Sequence, residues 1–149
     1  MEESYTHPTD ELLAEVYRNV KMGSESVSDI ISKIEDRHFL TDMTSELETY
    51  GKYARETEEQ MTRRAIKPKE LQLHKKLGAK MGIAMNTMVD SSTAHLAEMV
   101  IKGNHMGADQ LSETIARCEN AGCDSAATTL AKQVVAYERS EAEKLRRYL

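Results

Sequence analysis

The sequence predicts an all-α protein: a bundle of four long helices with a short extra helix before the last. Three observations carry this prediction. Apolar residues recur at alternating gaps of three and four through most of the chain, the spacing of one buried helix stripe. Only two prolines and seven glycines punctuate 149 residues, too few for the turns of an all-β chain. No segment reads as a credible strand. The length fits one domain. With 5% aromatics, no Trp and nine Met, the expected core is aliphatic and Met-filled, with tyrosines at its edges.

The first helix is expected over 9–36. Thr9 after Pro8 reads as its N-cap, and Asp10 and Glu11 in the first turn complement the helix dipole. Its stripe is Leu13, Val16, Val20, Gly23, Val27, Ile30 and Ile34. A glycine at mid-helix costs about 1 kcal/mol relative to Ala, so Gly23 is expected to mark a close helix contact. The second helix, 38–65, carries Leu40, Met43, Leu47, Tyr50, Ala54, Thr57 and Met61 and stops before Pro68. The short break between these helices makes them an antiparallel hairpin.

The third helix is expected over 69–102 and carries two adjacent stripes. One is Leu77, Met81, Ala84, Met88, Ser91, His95 and Glu98; the other is Met85, Val89, Ser92, Leu96 and Met99. So wide an apolar face suits a helix buried on more than one side and motivates a homodimer. The segment Lys102–Asp109, with two glycines, reads as a loop or sharp kink. A short helix over 108–120 follows, closed by Gly122 as a left-handed cap. The last helix, 124–148, is lined by Ala127, Leu130, Val134, Tyr137, Glu141, Leu145 and Tyr148.

Charge and motifs exclude several classes. A net charge of −5 disfavours nucleic acid, which needs a clustered basic face. No apolar run approaches membrane-spanning length, and the acidic N-terminus lacks the apolar core of a signal peptide, so a cytoplasmic protein is expected. Cys118 and Cys123 have no second Cys/His pair at zinc spacing. A local disulfide between them is open, but free thiols in a reducing cytosol are the expectation. Nothing resembles a nucleophile–base pair or a Gly-rich phosphate loop, and the reading leans away from an enzyme.

Bundle cores are where side chains of facing helices converge on metals. The polar groups in or beside the inner stripes are Tyr17, Glu46, Tyr50, Tyr53, His95, Glu98, Tyr137, Glu138 and Glu141. His95 and Glu98 stand one turn apart, a spacing at which imidazole and carboxylate can reach one ion. The competing reading is a buried polar pair satisfied by Tyr17, Tyr50 or Tyr137.

Long amphipathic helices bearing a Glu/His pair resemble the ferritin-like superfamily, whose di-iron members use a glutamate on each of two helices plus Glu-x-x-His on the other two. This sequence departs from that pattern. Its pair runs His95-x-x-Glu98, the first helix has no carboxylate in its stripe, and the last offers Glu138-x-x-Glu141 without histidine. The last third resembles an uncharacterised bacterial ferritin-like domain family with a His-x-Gly-Ala turn, matched by His105, Gly107 and Ala108, then Gly122 and the closing helix. Asn104 stands where that family's first histidine falls. The resemblance implies a ferritin-like binding or structural module without a complete di-iron centre, and no cofactor is expected. The alternative it implies is a metal-binding or oxidase-like protein holding iron, manganese or zinc with Glu46, His95, Glu98 and Glu141.

Overall fold

The computed structural model describes residues 7–67 and 90–149. They form four long α-helices and a closing 3-10 turn, with no strand among the described residues: α1 (Pro8–Ile31), α2 (Arg37–Arg63), α3 (Thr93–Asn120), α4 (Ser125–Leu145) and the turn Arg146–Tyr148.

Local chemistry sets the ends. The N-cap of α1 is His7, not Thr9: its Nδ1 accepts from the Thr9 amide at 3.1 Å. Thr9 is fully buried instead, and its hydroxyl accepts from the Asp124 amide at 3.1 Å, tying the start of α1 to the start of α4. Asp36 caps α2 through the Phe39 amide at 2.8 Å. That helix ends in a Schellman turn, with Ala65 in the left-handed region (φ 57°) and Ile66 N donating to Met61 O. The end of α3 uses the same device with the expected glycine: Gly122 has φ 79°, and Cys123 N donates to Cys118 O at 3.1 Å. This turn brings the Cys118 and Cys123 Cα atoms to 5.3 Å, within disulfide range, and the two sulfurs are bonded. The expectation of free thiols is corrected on this point.

The largest departure from the sequence reading is in the third helix. Asp90–Ser92 is not helical, so no single helix covers 69–102. Asp90 Oδ1 accepts from the Ser92 amide, and Ser92 Oγ accepts from the His95 amide to start α3. Conversely, Lys102–Asp109 is helical throughout, and the expected short helix is the second half of α3. Neither glycine interrupts it: Gly103 faces open space and Gly107 faces a packed helix neighbour. The expected stripe residues from Leu77 to Val89 lie outside the described residues.

Contacts at the two ends fix the helix directions. At one end, Arg64 pairs with Asp10 at 2.6 Å, the Thr9 hydroxyl meets Asp124, and Cys118 Sγ lies 3.4 Å from Pro8 O. That end therefore holds the starts of α1 and α4 and the ends of α2 and α3. At the other, Ile30, Phe39, Leu96 and Leu145 share one cluster, and the Phe39 and Tyr148 rings meet edge-on at 5.0 Å. So α1 and α4 run one way and α2 and α3 the other. α1–α2 and α3–α4 are antiparallel hairpins, and the connection from α2 to α3 joins opposite ends of the bundle. α1 also packs on α3 and α4, whereas α2 meets α4 along a thin seam.

The core has two apolar parts. Leu12, Leu13, Val16, Met61, Leu111, Leu130 and Val134 fill the end where α1 starts. Val27, Ile30, Phe39, Met43, Leu96 and Leu145 fill the other. Burial of this apolar surface stabilises the bundle at roughly 25 cal/mol per Å². Among the described residues, no helix is long and apolar enough to cross a membrane.

Candidate functional site

Between the two apolar clusters lies a polar layer. α2 contributes Glu46 and Tyr50, α3 contributes Asn104, and α4 contributes Glu138 and Glu141; each is at most 9% exposed. Asn19 of α1 closes one side. Its amide donates to Glu138 Oε1 and to the Gly107 carbonyl, both at 3.0 Å. The Tyr50 hydroxyl lies 2.9 Å from Glu138 Oε2 and 3.2 Å from Asn104 Oδ1. Its single proton serves one of these acceptors at a time. Tyr137 stands edge-on to both Tyr50 and Tyr53, each at 5.9 Å, and shields the layer toward solvent.

Two glycines make room for this arrangement. A Cβ at Gly23 would fall 2.5–2.9 Å from three atoms of the Tyr50 ring. A Cβ at Gly107 would fall 2.8 Å from Glu138 Oε2 and 3.0 Å from the Asn19 amide nitrogen. Gly23 thus does mark a close contact, with an aromatic ring crossing the helix backbone. Gly107 lets a carboxylate and an amide approach α3 closely enough to use its backbone carbonyl.

The layer is poor in compensating charge. Burial pushes the Glu46 carboxyl up to about 8, helped by the charges of Glu141 and Glu138 and opposed by Asn104 and Lys144. Asn104 faces Glu46 closely enough to lower its pKa. Even so, neither Glu46 oxygen and no Asn104 N–H meets good hydrogen-bond geometry. Burial raises Glu138 to about 7 against the pull of its Asn19 and Tyr50 hydrogen bonds. Glu141 is raised as well, again chiefly by burial. Positive charge reaches the layer only at its edge: Arg147 and Lys144 both pair with Asp42, and Lys144 also lies 3.8 Å from Glu141 Oε1. At neutral pH Glu46 is mostly a neutral acid, and Glu138 sits near its midpoint. The layer is a store of protons held between two helices that share a thin seam.

The residues expected from the sequence divide sharply. Glu46, Glu141 and Tyr50 are buried in the layer. His95 and Glu98 are not. His95 is half-buried in the first turn of α3, next to the cap, and Glu98 is exposed. The reason is helix phase. α3 starts afresh at Ser92, and its inner face is Leu96, Val100, Asn104, Ala108 and Leu111, one residue away from a stripe through His95 and Glu98. Tyr17 is half-buried against the apolar cluster that includes Tyr50, with the Lys21 ammonium 5.5 Å from its ring centre. Tyr137 reaches the layer only with its ring. His105 is exposed on the outer face of α3.

Three members of the layer lie outside the metal ligands and core partners expected from the sequence. Glu138 shares the face of Glu141 one turn away, and Asn104 completes a stripe that becomes visible once 102–109 is read as helix. Asn19 carries no sequence signal; only its two amide contacts reveal it. Among the described residues, no three His, Cys, Asp or Glu side chains converge as a group able to hold a metal ion. Elsewhere, a shallow groove of about 380 Å³ between the end of α2 and the start of α4 is lined by Glu56, Glu59, Arg63, Ser125 and Gln133, among others. It mixes both charges and is distant from the layer. Comparison with family models, curated proteins and solved structures finds no match to this chain.

Proposed function

We propose that the chain is a ferritin-like four-helix module that works by binding or scaffolding and lacks a complete di-iron centre. Support for the ferritin-like layout comes from topology: two antiparallel hairpins whose connection joins opposite ends, the single-crossover pattern of that class. The observation that carries the functional part is the composition of the mid-bundle layer. It presents carboxyl, amide and phenol groups from four helices, while the histidine that a Glu-x-x-His site requires sits outside it. Buried carboxyls that hold protons stay neutral without any ion. The metal-holding alternative with Glu46, His95, Glu98 and Glu141 loses support for the same reason.

Elemental analysis of protein purified without chelator, before and after reconstitution with iron, manganese and zinc, tests this reading. The expected result is less than a tenth of an equivalent of any metal and no oxygen consumption on adding ferrous iron. A stoichiometric metal that is lost in Glu46→Gln would overturn it. A homodimer remains part of the proposal, and sedimentation giving a monomer at high concentration would remove it. A cytoplasmic home would keep Cys118 and Cys123 reduced. The hydrogen-bonded turn at Gly122 closes the same loop without the sulfur bond, so the fold is compatible with that compartment.

A further inference from the structure

The bond between Cys118 and Cys123 does little that the backbone has not already done. It spans a separation of five residues within one helix–turn–helix corner. That corner is closed by Ala121 N to Arg117 O, Gly122 N to Glu119 O and Cys123 N to Cys118 O. It is fastened to α1 by the Asp124 amide on the Thr9 hydroxyl. The sulfur bond links neither α1 nor α2 to the rest of the bundle. A cross-link over so short a loop removes little freedom from the unfolded chain, so stapling is a poor account of it.

The two sulfurs are also unequally placed. Cys118 is 2% exposed and its Sγ lies 3.4 Å from Pro8 O, so a reduced Cys118 has an acceptor waiting for its S–H. Cys123 is half-buried and immediately precedes Asp124, the N-cap of α4, whose side chain makes no capping bond. Of the two sulfurs, Cys123 is therefore the one an incoming thiol can reach.

We propose that Cys118 and Cys123 form a reversible thiol–disulfide exchange site, open at Cys123 to low-molecular-weight thiols. An incoming thiolate attacks Cys123 Sγ, and a new S–S bond forms as the Cys118–Cys123 bond breaks. The electron pair goes to Cys118 Sγ, which takes a proton from solvent and keeps it as a thiol hydrogen-bonded to Pro8 O. A second thiolate attacks the outer sulfur of the mixed disulfide and releases the Cys123 thiolate beside the start of α4. In sum, the protein disulfide and two thiols give the protein dithiol and one small-molecule disulfide. Both states keep the same backbone, so exchange proceeds without unfolding.

The test uses the full chain in glutathione buffers of varied reduced-to-oxidised ratio, acid-quenched, alkylated and weighed intact. The two cysteines are the only ones in the sequence, so each mass step is unambiguous. The expected result is a dithiol fraction that follows the ratio from either starting state, with the helical circular dichroism unchanged. Reduction that needs denaturant, or that abolishes the helical signal, would overturn the proposal. Two variants test the order of attack. Cys118→Ala should take up glutathione at Cys123 at least tenfold faster than Cys123→Ala takes it up at Cys118. Equal rates, or a faster reaction at Cys118, would overturn the assignment of Cys123 as the entry point.

Discussion

The apolar clusters and the polar layer between them are both buried, but they hold the bundle on different terms. Leu13 and Phe39 gain from burial at any pH, because neither carries a proton that solvent can remove. Glu46 is just as buried, yet its contribution depends on whether it keeps one. Of two core regions with the same burial, one can therefore be indifferent to pH and the other sensitive to it. Burial alone does not tell which is which; the partner list does.

The largest expected effect follows from that contrast. Glu46 has its carboxyl raised from 4.5 to about 8 in the folded chain. A carboxyl with a raised folded-state pKa binds its proton more tightly when folded. Its contribution is complete below about 4.5, falls as pH rises, and is exhausted above about 8. Linkage puts the loss at about 4 kcal/mol over that window for Glu46 alone, and Glu138, raised to about 7, adds to it. Urea melts from pH 4.5 to 8.5 should show stability falling steadily, and Glu46→Gln should flatten much of the slope. A profile that rises with pH would break the comparison at its root. Leu13→Ala supplies the control: a loss of about 3 kcal/mol for a large-to-small change in the core, with the same value at pH 5 and pH 8.

Two glycines four residues apart on α3 sharpen the same distinction. Gly103 meets nothing, so Gly103→Ala should stabilise by about 1 kcal/mol through helix propensity. Gly107 faces Glu138 and Asn19, so Gly107→Ala should destabilise by about 2 kcal/mol, as overpacking and a broken amide contact outweigh propensity. Thermal melts of the two variants should move in opposite directions. A shift of the same sign in both would mean that α3 does not need its close approach to the layer.

These glycines also show where the sequence was legible. The stripes of α1, α2 and α4 stand in the sequence because each helix runs unbroken, and the periodicity keeps its phase. Gly122 was legible because a left-handed turn has few other solutions. Gly103 and Gly107 read as a loop or kink in the sequence and lie inside a continuous helix in the structure. Composition cannot separate a glycine that ends a helix from one that admits a neighbour; the neighbour is a tertiary fact. Glu46 and Glu141 could be placed by phase, but Asn19 could not, since nothing in its own segment announces a partner on α4.

The smallest expected effect concerns the pair that looked most like a signature. A continuous helix over 69–102 carries His95 and Glu98 inward, and there His95→Ala should cost about 1–3 kcal/mol by leaving its partner unsatisfied. The break at Asp90–Ser92 resets the phase, leaving Glu98 exposed and His95 half-buried beside a cap that uses only its backbone amide. On that footing, Glu98→Ala and His95→Ala should each change stability by less than about 0.5 kcal/mol. By contrast, Ser92→Ala, which removes the cap itself, should cost about 1 kcal/mol. Chemical denaturation at pH 7 resolves the three. A loss of 2 kcal/mol in His95→Ala with Ser92→Ala silent would restore the continuous helix and put the histidine back in the core. The reverse order locates the start of α3 at Ser92 and keeps His95 and Glu98 apart from the layer around Glu46 and Glu138.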